Sequence, residues 1–138
     1  MIYIASPFFK EEECEELSKV EAVLRKRGFD VFSPREHEVR DEEPGSGNWC
    51  SKVFEMDRKA IETCEAVVAV YHGNYSDSGT AWECGYAYGL GKKIVMVHCG
   101  NDANLMVHVS ADANITIDEL ETIDLKCIPE KKYGGISF

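Results

Sequence analysis

Apolar positions along the chain fall into short runs, separated by stretches with a longer, helical period. Residues 1–5 (MIYIA), 66–71 (AVVAVY) and 94–98 (IVMVH) are almost wholly apolar, and 29–33 (FDVFS) and 114–117 (NITI) are weaker versions of the same pattern. Runs of this length, bounded by Ser6-Pro7, Pro34 and glycines, predict buried β-strands. After the first run, Leu17, Val20, Val23 and Leu24 recur on one face of a helix predicted over 10–27. Its acids come early and Arg25, Lys26 and Arg27 come late, which complements the helix dipole, and Gly28 ends it. A second helix is predicted over 49–64, a third over 77–91, a short one over 104–111, and a last helical turn within 118–125 (DELETIDL). Residues 35–48 (REHEVRDEEPGSGN) are the one long polar segment, and Pro44, Gly45 and Gly47 predict a flexible loop of the kind that often carries function.

Alternating strands and helices, with strands apolar on both sides, predict a parallel sheet covered on both faces. Five strands make this an α/β, flavodoxin-like doubly wound fold, with a single domain over 1–138. In such folds ligands sit at the carboxyl ends of the strands, where the strand order switches. The segments after strand 1 (SPFF), strand 2, strand 3 (HGNYSDSG) and strand 4 (CGNDANLM) are expected to converge there.

Charge narrows the partners. The formal net charge of −10 repels polyanions, so neither a nucleic acid polymer nor an anionic membrane surface is expected. No run approaches the roughly 18 apolar residues of a membrane span, and the N-terminus lacks the basic and long apolar regions of a signal peptide. The six cysteines contain no C-x-x-C pair and are expected to be reduced, mostly buried thiols of a cytoplasmic protein.

Within 79–91, Glu83 is the only acid or base apart from tyrosines. Asp77 and Ser78 are natural N-cap residues, which places Glu83 near the first helical turn, where the dipole would favour a carboxylate even with little water. A desolvated carboxylate is a potential nucleophile; the plainer alternative is a surface acid on an N-terminal turn. Asp57 interrupts the apolar stripe of Cys50, Val53, Phe54, Ala60, Ile61 and Cys64. A buried unpaired carboxylate is costly, so Asp57 is either functional, rotated to solvent, or paired with Arg58 or Arg35. Asp77 can be a helix cap alone, yet with Glu83 it makes two carboxylates in different environments, as glycosyl chemistry requires. Tyr3 lies inside strand 1 and needs a hydrogen-bond partner. Phe8 and Phe9 at the strand tip could stack a flat ring or pack in the core. Cys84 adjoins an anion, which argues against a reactive thiol. The four histidines lack metal-ligand spacing, so no metal is inferred, and there is no G-x-G-x-x-G or Walker loop.

Tyr3 in strand 1, Asp57 in the second helix, a D-x-G-x-x-x-E-x-G-Y-A motif from Asp77 through Glu83 to Ala87, and NLM at 104–106 together resemble the nucleoside 2-deoxyribosyltransferase family. The ordered set covers most of the chain. The resemblance implies that Glu83 attacks the anomeric carbon of a 2'-deoxynucleoside and forms a covalent deoxyribosyl-enzyme, from which a second nucleobase takes the sugar with net retention. Tyr3 would orient Glu83. Asp77 and Asp57 would stand near the base, Asp77 favoured as proton donor, with Phe8 and Phe9 around the ring. Asn104 would bind the sugar 5'-hydroxyl and, with Met106, come from a neighbouring subunit of a homo-oligomer. No cofactor is implied; the partners are 2'-deoxynucleosides and free nucleobases. Gly79, Ala81 and Gly85 would let the sugar approach the helix.

Three departures from the family pattern stand out. SPREHE follows strand 2 where several members are more neutral, Trp82 replaces a smaller residue of some members, and Phe138 ends a KYGGISF tail like those whose terminal carboxylate enters the site. Two other readings stay open. One is an N-glycoside hydrolase of nucleosides or 5'-monophosphates on the same scaffold, for which SPFFK supplies only Ser6 and Lys10 toward a phosphate. The other is a non-catalytic ligand-binding module.

Overall fold

Each of the five apolar runs is a strand of one parallel sheet in the computed structural model, which describes residues 1–73 and 77–138. In chain order the elements are β1 (Ile2–Ala5), α1 (Glu11–Lys26), β2 (Val31–Phe32), α2 (Gly47–Thr63), β3 (Ala66–Tyr71), α3 (Ser78–Gly89), β4 (Lys93–His98), β5 (Asp102–Ala103), α4 (Leu105–Ser110), β6 (Ala113–Ile115) and β7 (Ile136–Ser137). Single 3-10 turns occupy Pro34–Glu36 and Glu119–Glu121. The strand order is β2-β1-β3-β4-β6, all parallel, so the direction of winding reverses between β1 and β3. This is the flavodoxin-like arrangement that the alternation predicts.

The period-two geometry of β1 divides the core. Ile2 and Ile4 face α1, where Leu17, Val20 and Leu24 form the helix's apolar stripe. Tyr3 and Ala5 face the opposite layer, with Ala60 and Ile61 of α2 and Cys84 and Ala87 of α3. Leu24, Ile61 and Val68 are fully buried, and burial of such side chains stabilises the fold by about 1.5–3 kcal/mol each. In register, Tyr3 lies between Phe32 and Val67, beside the reversal of winding. A central strand thus presents a phenol to the helices that carry Asp57 and Glu83.

Four details differ from expectation. The second strand shrinks to two half-buried edge residues, ended by the 3-10 turn that starts at Pro34, where the chain has no N–H to extend the ladder; the Ser33 hydroxyl donates to Glu21 (2.6 Å). The segment after it is tied down rather than loose: Arg35 pairs with the buried Glu21, Arg25 grips both oxygens of Glu36, and Lys52 pairs with Asp41 and Glu42. Only Cys64 and Cys84 are buried; Cys50, Cys99 and Cys127 are exposed, and all six are free. A two-stranded sheet, β5 with β7, is new and ties the C-terminal segment beside α4. Among the described residues no helix is long and apolar enough to cross a membrane.

Candidate active site

Asp77 starts α3 as its N-cap: Oδ2 accepts from the Thr80 amide at 3.0 Å and from its hydroxyl at 3.3 Å. Its carboxylate lies over Gly79, where a Cβ would meet Oδ2 at 2.8 Å, so a glycine is needed beneath the cap. Of the loop expected after strand 3, residues 74–76 lie outside the described residues. Counting from Ser78, Glu83 is in the second helical turn, one turn deeper than the sequence suggests. That depth matters, since dipole stabilisation fades within the first turn. Burial dominates instead and pushes the Glu83 carboxyl up to about 8; the charges of Asp57 and Asp77 add to the rise and a hydrogen bond from Tyr3 opposes it.

Tyr3 is fully buried, and its hydroxyl donates to Glu83 Oε1 at 2.9 Å. Burial and then the neighbouring Glu83 carboxylate raise the phenol's pKa far above the ordinary value, so it remains a donor. Asp57 points into the same space from α2. Its Oδ1 is buried and has no hydrogen-bond partner among the described residues, and burial raises the carboxyl to about 6. The ion-pair alternatives do not occur: Arg35 is held by Glu21, and Arg58 by Glu55 and Glu62. The stripe is broken at 57 because the helix turns this position toward a cavity rather than into packed core.

Two cavities meet at Asp57. One, about 340 Å³, is bordered by Phe54, Asp57, Arg58, Ile61, Gly79, Trp82 and Glu83. The other, about 540 Å³, has Phe8, His37, Trp49, Val53, Met56 and Asp57 in its wall. Both fall within the range of small-molecule sites. Phe54 and Tyr86 flank Trp82, with ring centroids 5.4 and 5.3 Å away. Phe9 stacks on Phe8 (5.4 Å) but is 75% exposed and borders neither cavity.

The structure therefore brings together Tyr3, Asp57, Gly79, Trp82 and Glu83, with Asp77 above and Phe8 reached through Asp57. It does not bring Asn104, Met106 or Phe138 to these cavities. Asn104 caps α4 by accepting from the Met106 amide (2.9 Å), Met106 is 73% exposed, and the Phe138 carbonyl accepts from the Leu105 amide (2.9 Å). These three share one face, next to a groove walled by Tyr88, Leu105, Met106 and Val109. Cys84 is buried, and its thiol is pushed up to about 12 by burial, so it is no nucleophile. Among the described residues no group of three His, Cys, Asp or Glu side chains is placed to hold a metal ion.

Sequence reasoning missed Trp49 and read Val53 and Phe54 as plain core. Their spacing from Asp57 was the available signal, since residues three, four and eight positions before it fall on or near its helical face.

The family model described as nucleoside 2-deoxyribosyltransferase matches residues 2–120. A nucleoside deoxyribosyltransferase of Lactobacillus johnsonii is 32% identical over 91 residues, 63% of this chain, and the match spans only 61% of that relative's length. The solved 2-deoxyribosyltransferase of Bacillus psychrosaccharolyticus is 40% identical, with a TM-score of 0.90 over 96% of this chain and 98% of that one. The CMP N-glycosidase of Clostridium botulinum shares the fold at 24% identity and a TM-score of 0.57, over 83% and 85% of the two chains.

Proposed function

Because this chain belongs to the nucleoside 2-deoxyribosyltransferase family, we propose that it transfers 2-deoxyribose between nucleobases, with Glu83 as nucleophile. The observation that carries the reading is the contact of a buried phenol, Tyr3, with Glu83, on a cavity shared with the unpartnered carboxyl of Asp57. Tyr3 fixes Oε1 of the carboxylate, leaving Oε2 to attack C1' of the sugar. As the C1'–N bond breaks, its electron pair goes to the base nitrogen, which takes a proton from Asp57. Glu83 then holds the deoxyribosyl group as an ester. A second base attacks C1' from the vacated side, the ester oxygen leaves as carboxylate, and the incoming base returns a proton to Asp57. Two inversions give net retention.

Asp57 is favoured over Asp77 as proton source because Asp77 is already occupied as the cap of α3, whereas Oδ1 of Asp57 is buried without a partner. The sugar fits the smaller cavity beside Glu83 and the flat base the larger one, against Phe8 and Trp49. Asn104, Met106 and Phe138 would complete the site of a neighbouring copy in a cytoplasmic homo-oligomer. Their shared face, with Leu105, Val109 and Ile136 also exposed, supports that placement.

Incubation with 2'-deoxyinosine or thymidine is expected to yield 2'-deoxyadenosine only when adenine is added, as read by chromatography. Free base released at a rate indifferent to adenine would make water the acceptor and the protein a hydrolase. The pH profile follows from the carboxyl pair, whose macroscopic values belong to both members. A plot of kcat/KM is expected to be bell-shaped, with limbs near 6 and 8. Below the first limb both carboxyls are protonated and no nucleophile exists; above the second both are ionised and no acid remains. Between them the pair holds one proton, and the reactive form is the one with that proton on Asp57 and Glu83 ionised. A rate still climbing above pH 9 would remove the acid from the mechanism.

A further inference from the structure

Arg58 is the one cation among the described residues bordering the smaller cavity, and its guanidinium pairs with Glu55 and Glu62 rather than with either carboxyl beside it. It directly follows Asp57 on α2, yet Asp57 Oδ1 has no partner. Two glutamates bracket its guanidinium along the helix. Glu55, one turn before, accepts from Nη2 at 2.9 Å, and Glu62, one turn after, is in close contact with Nη1. Glu62 is itself fixed from α3 by the Tyr86 hydroxyl, at 2.5 Å, and Tyr86 stacks on Trp82 of the cavity wall.

The other groups facing Asp57 and Glu83 are Tyr3 from β1 and Asp77 and Cys84 from α3. From the segment after β2, Arg35, His37, Glu38, Arg40 and Glu42 border the larger cavity that Asp57 shares. Arg35 is engaged by Glu21 and Arg40 by Glu38 (3.1 Å), which leaves Arg58 as the cation nearest in sequence to the carboxyl pair. A cation within about 4–6 Å of a carboxyl lowers its pKa by about 1–3 units. An inward-turned Arg58 would hold Asp57 ionised, removing the proton that the departing base needs.

We propose that Glu62, assisted by Glu55, is a positioning residue that holds the Arg58 guanidinium away from Asp57 and Glu83, so that the two carboxyls meet the substrate with no cation between them. The catalytic consequence rests on the transferase reading; the electrostatic content does not.

The test is a carbon-13 NMR titration of the Asp57 carboxyl, its signal assigned by its loss in Asp57→Asn. In Glu62→Gln the midpoint is expected to fall by about one pH unit or more. Adding Arg58→Met to Glu62→Gln is expected to return it to the parent value. Glu55→Gln reaches the same guanidinium without touching Tyr86 and is expected to give a smaller fall of the same sign. In transfer assays Glu62→Gln should lose kcat about tenfold, with little change in KM, and the added Arg58→Met should recover most of it. An Asp57 midpoint unmoved in both glutamine variants would overturn the proposal, as would a shift that persists without Arg58. If the midpoints move as expected while the parent protein transfers no deoxyribose, the placement of Arg58 stands and the transferase reading fails.

Discussion

Glu83→Gln is expected to lower deoxyribosyl transfer by about 10⁴-fold or more and, at the same time, to stabilise the fold at neutral pH. The first effect follows from chemistry: an amide oxygen in the same place still accepts from Tyr3 but forms no glycosyl ester. The second follows from linkage. Glu83 titrates near 8 in the folded chain against an ordinary 4.5. The folded state therefore holds a proton that the unfolded state releases, and stability declines as pH rises between those values. Glutamine has no such dependence. At pH 7 the gain is on the order of 1–3 kcal/mol, visible as a higher urea midpoint, and it vanishes below about pH 4.5. A variant that keeps wild-type turnover would end the nucleophile assignment. One that loses turnover without gaining stability would show that Glu83 is ionised in the folded chain.

Asp57→Asn is expected to reduce transfer from ordinary 2'-deoxynucleosides by about 10²–10⁴-fold, the range lost with a general acid. The diagnostic lies in the leaving group. A 2-deoxyriboside of an acidic phenol departs without protonation, so its cleavage should fall far less than that of deoxyinosine. Asp77→Asn is the natural control. Asparagine caps a helix about as well as aspartate, so α3 persists and only the charge near Gly79 is lost. If Asp77→Asn rather than Asp57→Asn shows the strong leaving-group dependence, the proton comes from the cap residue, as the family resemblance first suggests.

The sheet was legible because its central strands need apolar side chains on both faces; AVVAVY admits no other reading, and its strand covers those same residues. Edge strands lack that constraint, which is why FDVFS looked longer than the two residues that pair. Glu83 and Asp57 were legible as exceptions, a lone charge in one helix and a broken stripe in another. Their electrostatic state was not, because it depends on how much water the sheet, Phe54 and Trp82 exclude. Trp49 and Phe54 stayed hidden since an aromatic ring that walls a cavity has the same periodicity as one that fills a core. The bracket of Glu55 and Glu62 around Arg58 is written in helical spacing, three residues before and four after, but such spacing is common on solvated helix faces. Only the three-dimensional position of Arg58 gives it meaning.

The chain has two tryptophans, and each borders a different cavity: Trp49 the larger, Trp82 the one holding Glu83. If the larger cavity takes the base and the smaller one the sugar, as proposed above, the protein carries an intrinsic optical reporter for each half of its substrate. Replacing either indole with phenylalanine would leave a single emitter, one watching the arrival of a nucleobase and the other the fate of the sugar. Base exchange and sugar retention could then be timed separately in one unlabelled protein.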